Sequence, residues 1–328
     1  MLKERKSIIV MAGLTAALAS VPVQAQQLID LRDPQTTKPL EYLDDFRAYF
    51  TTSVPAHWDG STGTGTLDPF LTLQGSPSER GINGDSDGPY RYQEVTGGDR
   101  TRPLPRSETS VLYGRNIPGM VCSGSDDPQC DRHYLEFLLD ANESKSDPYL
   151  VMSELKVFIS KDPSDTTSGP AFDGRLSTLE SWAAANTHDT VKVFDLDLKD
   201  IDNDGDLDFF DRAVMINYAL NGGSGWPDLT VYLPQIESTS ASHVYLYTRF
   251  GCTTTAGADH DANCAGAIAL AGGGSVTPDA GFEEWAVRAT PIQEAPAPSA
   301  ILGVVAAFGY MRQLRRRLKA DQAGRLAA

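Results

Sequence analysis

Apolar and polar positions alternate with a period of two along much of the middle of the chain. The clearest run is Val244 to Phe250, where Tyr245, Tyr247 and Arg249 interleave with Val244, Leu246, Thr248 and Phe250, the pattern of a strand with two different faces. Similar apolar and β-branched runs, separated by Gly, Asp, Ser and Pro clusters, predict strands at Phe70–Leu73, Tyr90–Val95, Ser110–Arg115, Tyr134–Leu139, Leu155–Ile159, Val191–Phe194, Val214–Leu220, Leu229–Leu233 and Glu283–Arg288. Two helices are predicted. Leu40, Leu43, Phe46 and Phe50 fall on one helical face, and Ser177 with Glu180 reads as a capping box ahead of Trp182. The glycines and prolines between Gly75 and Asp99 predict a long loop or hairpin region. Many strands and few helices imply a mainly β fold, with two packed antiparallel sheets in a sandwich or jelly roll.

The two ends follow different rules. Residues 1–25 have a basic start (Lys3, Arg5, Lys6), an apolar run from Ile8 to Leu18 and the small-x-small site Val23-Gln24-Ala25, which together read as a signal peptide. At the other end Glu294-Ala295-Pro296-Ala297-Pro298-Ser299 breaks regular structure. An apolar stretch from Ala300 to Met311 follows, backed by Arg312, Arg315, Arg316, Arg317 and Lys319. A short apolar segment with a cationic cluster reads as a membrane stop with its positive side in the cytoplasm. The layout resembles the PEP-CTERM sorting signal, a Pro-Glu-Pro tripeptide, a membrane helix and an Arg-rich end cut by an exosortase. Here Pro296, Pro298 and Ser299 supply the tripeptide region without its Glu, and Arg315, Arg316 and Arg317 supply the basic end. The resemblance implies an exosortase-type partner and membrane contact through this segment. The chain thus divides into a signal peptide (1–25), a β-rich extracellular domain (26–294), a sorting and anchor segment (295–319) and a tail (320–328).

Composition changes the picture chiefly through charge. The 328 residues carry net charge −16, while 1–25 contribute +2 and 299–328 contribute +5, which leaves −23 on the body. Such a surface repels nucleic acid and anionic lipid and attracts divalent cations. The four cysteines form two local sets, and an even count in an exported chain predicts disulfides Cys122–Cys130 and Cys252–Cys264. The alternative is a zinc site using Cys122, Cys130 and His133, although the spacing follows no zinc knuckle.

The densest chemistry lies between Asp195 and Asp211. Counting from Asp200, carboxylates fall at loop positions 1, 3, 5, 7, 9 and 12 (Asp200, Asp202, Asp204, Asp206, Asp208, Asp211), with Gly205 at position 6 and Leu207 at position 8. This is the spacing of an EF-hand-like calcium loop, in which position 6 makes the sharp turn and position 8 packs inward. Oxygen ligands at this density suit Ca²⁺ rather than zinc or copper. Without a cation the carboxylates repel by about 1 kcal/mol per close pair in water, so ion binding and ordering are coupled. If residues 212–220 form a helix, the loop is half a dockerin and presents Val214, Met215 and Tyr218 to a protein partner. The Asn221–Gly225 break and the single copy of the loop favour a turn between strands. A second acidic stretch, Asp140 to Asp147, lacks a turn glycine and reads equally well as an Asx-rich hairpin.

Four strings carry a wider resemblance: Tyr134-Leu-Glu-Phe-Leu-Leu-Asp140, Asn217-Tyr-Ala-Leu-Asn-Gly-Gly-Ser-Gly225, Val244-Tyr-Leu-Tyr-Thr-Arg-Phe-Gly251 and Gly281-Phe-Glu-Glu-Trp-Ala-Val287. They resemble a family of secreted bacterial proteins that end in the PEP-CTERM signal, over roughly Asp68 to Arg288. The resemblance implies export and a β-rich fold and assigns no activity. It also implies a strand over 213–220.

No nucleophile elbow, P-loop, dinucleotide fingerprint or H-E-x-x-H is present, and the five histidines are scattered. Glu283 and Glu284 precede Trp285, the arrangement of a glycosidase carboxylate beside an aromatic platform, but consecutive strand residues face opposite ways, so at most one lines any cleft. Tyr245, Tyr247 and Trp285 offer faces for stacking on sugars, and core packing accounts for them equally. The sequence therefore predicts an exported, calcium-binding, non-catalytic protein of the cell surface or exopolysaccharide matrix, with extracellular polysaccharide as its prospective ligand. The alternatives are a polysaccharide hydrolase and a dockerin-like interaction module.

Overall fold

The computed structural model describes residues 26–32, 41–43, 47–53, 67–75, 79–84, 101–124, 127–161, 172–199, 208–209, 211–221, 226–235, 242–251, 267–268, 271–272, 276–278 and 281–288. In chain order, β1 (Gln26–Asp30), β2 (Glu41–Leu43), β3 (Ala48–Thr51), β4 (Leu67–Leu73) and β5 (Glu79–Ile82) come first. Next are β6 (Leu104–Pro105), β7 (Ser110–Tyr113), β8 (His133–Asp140) and β9 (Tyr149–Ser160). Helix α1 (Leu176–Ala185) leads to β10 (Val191–Asp195), β11 (Leu198–Lys199), β12 (Asp208–Phe209) and β13 (Asp211–Asn217). β14 (Leu229–Pro234), β15 (His243–Phe250) and β16 (Glu283–Arg288) complete the described strands.

The mainly β expectation holds, and the strands form two large sheets. One runs β1-β13-β9-β15-β5, with β10 on β9 and β6 on β15; the other runs β2-β3-β14-β8-β16-β4, with β7 on β8. Only the β1–β13 pairing is parallel among the described ladders. One continuous core lies between the sheets, because each sheet sends alternate residues inward. Leu135, Phe137, Leu139, Val231, Trp285 and Val287 come from one sheet; Met152, Val157, Val214, Val244, Leu246 and Phe250 come from the other. On the far side of the first sheet, Tyr245, Tyr247 and Phe158 pack under Leu179 and Trp182 of α1.

Several boundaries differ from the sequence reading. The amphipathic helix expected from Leu40 to Phe50 is instead a hairpin, with Tyr42 opposite Tyr49 and Leu43 opposite Ala48. Arg47 turns the chain there in the left-handed region, at φ 54°. Ala48, Tyr49, Phe50 and Thr51 are all buried, and β14 pairs with them on the other side. Two-sided burial is a feature of a central strand, and helical spacing of the same apolar residues did not reveal it.

Helix α1 starts at Leu176 without a side-chain cap, so Ser177 and Glu180 are interior residues rather than a capping box. Glu180 reaches outward to Lys156 and Lys192, each at 3.3 Å. The strand expected over Ser110–Arg115 stops at Tyr113, where Gly114–Asn116 makes a 3-10 turn. The Gly75–Asp99 region holds β5, and Tyr90–Val95 lies outside the described residues.

Candidate functional site

The acidic stretch begins with two acids that serve the fold. Asp195 is buried, and its carboxylate accepts a hydrogen bond from Lys192 Nζ at 2.7 Å, with Lys156 Nζ at 3.8 Å. Asp197 accepts the backbone N–H of Arg212 at 3.2 Å. β11 and β12 then form a two-stranded ribbon, Leu198 opposite Phe209 and Lys199 opposite Asp208. The ribbon joins the two ends of the 200–207 loop. Asp200, Asp202, Asp204 and Asp206 lie outside the described residues, while Asp208 sits in β12 and Asp211 opens β13. Among the described residues no three His, Cys, Asp or Glu side chains are set out as a metal centre.

After the loop the chain is a strand to Asn217, paired with both β1 and β9, and then a 3-10 turn at Tyr218–Leu220. Val214 enters the core between the sheets. Met215 packs in a second buried cluster with Val151 and Ala213. Neither is on the exposed helix that a dockerin-like module needs. Residues 211–217 are thus a strand rather than a docking helix.

Cys122 and Cys130 form a disulfide, Cα to Cα 5.9 Å, which removes both sulfurs from the zinc alternative. His133 lies against Tyr113, ring centroids 4.2 Å apart. The second acidic stretch is a hairpin: the Asp147 N–H donates to the Ser144 carbonyl at 3.0 Å, and Glu154 pairs with Arg249 at 3.2 Å rather than folding back. The prospective sugar platform is closed. Trp285 and Tyr245 are fully buried and Tyr247 nearly so. Cys252–Cys264, residues 1–25 and the sorting residues Pro296, Pro298, Ser299, Arg315, Arg316 and Arg317 lie outside the described residues. No helix among the described residues is long and apolar enough to cross a membrane.

The sequence reading missed a different acidic feature, at one end of the space between the sheets. Strand alternation turns Glu283 inward with Trp285 and Val287, whereas Glu284 lies on the opposite side near the Thr72 hydroxyl, 3.5 Å away. Glu283 is 1% exposed. Burial first, and then the neighbouring Glu79, push its carboxyl well above the usual range, and the carboxyl of Glu143 is also in hydrogen-bonding contact with it. Glu79 comes from β5 of the first sheet and is itself buried, as is Glu143 from the turn after β8. Gly281, at φ 107°, lies close enough to Asn142 that a Cβ there would be 2.7 Å from the Asn142 carbonyl oxygen. The Asn142 side-chain amide donates to the Phe282 carbonyl at 2.7 Å. These contacts hold the Glu143 turn against the start of β16.

Asp140, at the end of β8, and Asp228, just before β14, are two further buried acids that act on each other. Burial raises the Asp228 carboxyl well above its ordinary value, the Ala141 N–H partly offsets this, and Asp140 adds to the rise. Because the folded-state value is raised, the folded chain holds more protons than the unfolded one above the unfolded carboxylate pKa. This contribution to stability is therefore fully present below the unfolded value and lost as pH rises through the folded one. Asp228→Asn keeps an acceptor for the Ala141 N–H, which now reaches Asp228 Oδ2 at 2.9 Å. The variant is expected to gain stability over the parent at pH 7, with the gain shrinking as the pH falls to about 4.5. Urea midpoints at the two pH values check this, and identical pH slopes in parent and variant would refute it.

No family model, no curated protein and no solved structure matches the chain.

Proposed function

We propose that the chain is an exported, calcium-binding, non-catalytic protein of the cell surface or exopolysaccharide matrix, released or anchored through its C-terminal segment by an exosortase-type enzyme. The observation that carries the reading is the spacing of Asp200, Asp202, Asp204, Asp206, Asp208 and Asp211 around Gly205 and Leu207. The pairing of β11 with β12 brings the two flanks of residues 200–207 side by side, which supports a loop reading of that stretch. Export is supported by the order of features in residues 1–25, and the anionic body suits a milieu rich in divalent cations. A hydrolase reading built on Glu283 and Glu284 gains no support from their positions: one is buried among carboxyls and the other faces the opposite way.

Calorimetry of the full chain tests the calcium assignment. With a dissociation constant near 0.1 mM, as in extracellular modules, about 10 mM CaCl₂ is expected to raise the melting temperature by roughly 5 °C over EDTA. Asp200→Ala with Asp204→Ala should remove the part of the rise that belongs to the loop. An identical calcium response in parent and variant would exclude the loop as a site.

A further inference from the structure

β7 and β8 are adjacent antiparallel strands, and residues 114–132 connect them by a path far longer than a tight hairpin needs. Its described parts are 114–124 and 127–132. They fold back over the outer face of the sheet of β8 and β14. Alternation turns Tyr49, Tyr134 and Tyr232 to that face, because their neighbours Phe50, Leu135 and Val231 point into the core between the sheets. Ile117 and Met120 of the connection pack on these tyrosines in a cluster separate from that core. Tyr134 is 0% exposed and Tyr49 4%. Their rings meet edge to face, centroids 5.5 Å apart, and the Tyr49 hydroxyl donates to Gln129 Oε1 at 2.7 Å.

The two limbs of the connection are held differently. The returning limb is fixed at its base: the Gly114 N–H donates to the Arg132 carbonyl at 2.8 Å, and the Arg115 N–H to the Cys130 carbonyl at 3.1 Å. The outgoing limb, residues 117–122, makes a local turn in which the Met120 N–H donates to the Ile117 carbonyl. Its far end is tied across by the Cys122–Cys130 disulfide. Just beyond, the Ser123 N–H and hydroxyl both donate to the Asp127 carboxylate at 3.0 Å. These are surface hydrogen bonds, which water replaces at little cost, so the covalent bond is the main tie at that end. The tie is one-sided. Cys130 is 3% exposed, whereas Val121, Cys122 and Ser123 lie at the surface.

We propose that the Cys122–Cys130 disulfide is a redox latch: its reduction frees residues 117–122 as a flap and uncovers Tyr49 and Tyr134, and its oxidation closes the flap again. The partner is a dithiol reductant. One of its thiolates attacks the exposed Cys122 sulfur, Cys130 leaves as a thiolate and takes up a proton, and the second thiol then displaces Cys122 from the mixed disulfide. Two electrons pass, the protein ends with two thiols and the dithiol becomes a disulfide. The flap is therefore open in a reducing compartment and shut in an oxidising one. The sheets stay together in both states, because the tyrosine cluster is not part of the core between them. The latch does not depend on calcium.

Hydrogen exchange and tyrosine nitration by tetranitromethane, both read by peptide mass, test this on the full chain. The proteins are the oxidised parent, the parent reduced with dithiothreitol without denaturant and alkylated, and Cys122→Ser combined with Cys130→Ser. The double variant separates this bond from Cys252 and Cys264, and Tyr245, buried beneath α1, is the internal control. In the reduced parent and in the double variant, amides of 117–122 are expected to exchange about tenfold faster, and Tyr49 and Tyr134 to nitrate about tenfold faster, than in the oxidised parent. Amides of β9 and β15, and nitration of Tyr245, are expected to change by less than about twofold. Oxidised glutathione added to the reduced, unalkylated parent should restore the original protection. A bond that dithiothreitol leaves intact in the folded protein overturns the proposal, as does a double variant whose two tyrosines stay protected. Loss of protection throughout both sheets would make the bond a general staple and also overturn it, and so would failure to regain protection on reoxidation.

Discussion

Arg288→Met is expected to destabilise the protein by about 3–5 kcal/mol, the usual cost of leaving a buried charge without its partner. Arg288 donates to both oxygens of Glu136, Nε to Oε2 at 2.6 Å and Nη2 to Oε1 at 3.2 Å. The side chain of Glu136 is wholly buried and that of Arg288 is 8% exposed. Tyr232 also donates to Glu136 Oε1, at 3.4 Å, and burial followed by the Glu136 charge holds its phenol well above the ordinary value. Removing the guanidinium therefore strands a carboxylate against a phenol that stays protonated. Glu136→Leu combined with Arg288→Met should recover much of the loss, because the pair is replaced rather than broken. Guanidinium unfolding of the parent and the two variants measures this. A single variant within about 1 kcal/mol of the parent would mean the pair is solvated as a surface bridge is.

Gly281→Ala should cost about 2–4 kcal/mol, and two other glycines provide the comparison. At Gly281 two penalties combine: φ is 107°, and a Cβ would sit 2.7 Å from the Asn142 oxygen and 2.8 Å from its Cβ. Backbone strain in such a region costs about 1–3 kcal/mol and overpacking a similar amount. Gly272 has φ 70° with nothing within 4 Å of a Cβ, so Gly272→Ala should show the conformational part alone. Gly124 meets neither obstacle, so Gly124→Ala should be neutral within about 0.5 kcal/mol. Urea denaturation ranks the three. An order other than Gly281, Gly272, Gly124 would mean that the contact with Asn142 relaxes freely.

The acids show how differently individual residues could be read. Asp195 and Asp200 look alike in the sequence, two aspartates in one run. Asp195 belongs to a lysine network because β9 and β10 pair so as to bring Lys156 and Lys192 to it. Glu283 and Glu284 are adjacent and chemically identical, and period-two alternation rightly separates their faces. Nothing local tells which of the two faces inward, or that Glu79 and Glu143 meet the inward one. The helix expected at Leu40–Phe50 failed for the same reason: Leu43 and Phe50 are buried by a hairpin and by β14, and spacing alone does not distinguish that burial from a helical face.

The linear chain determines the class of fold, since alternation such as Val244-Tyr245-Leu246-Tyr247 and turns rich in Gly, Asp and Pro are local properties that act before any sheet exists. It also carries the calcium-loop spacing, because the ligands of such a loop are close neighbours along the backbone. Tertiary structure alone decided which strands are central, that the aromatic faces are closed to sugars, and that three distant glutamates share one buried space. Strand pairing and burial are set by contacts between residues far apart in the chain, and the local preferences of each segment are compatible with several such arrangements.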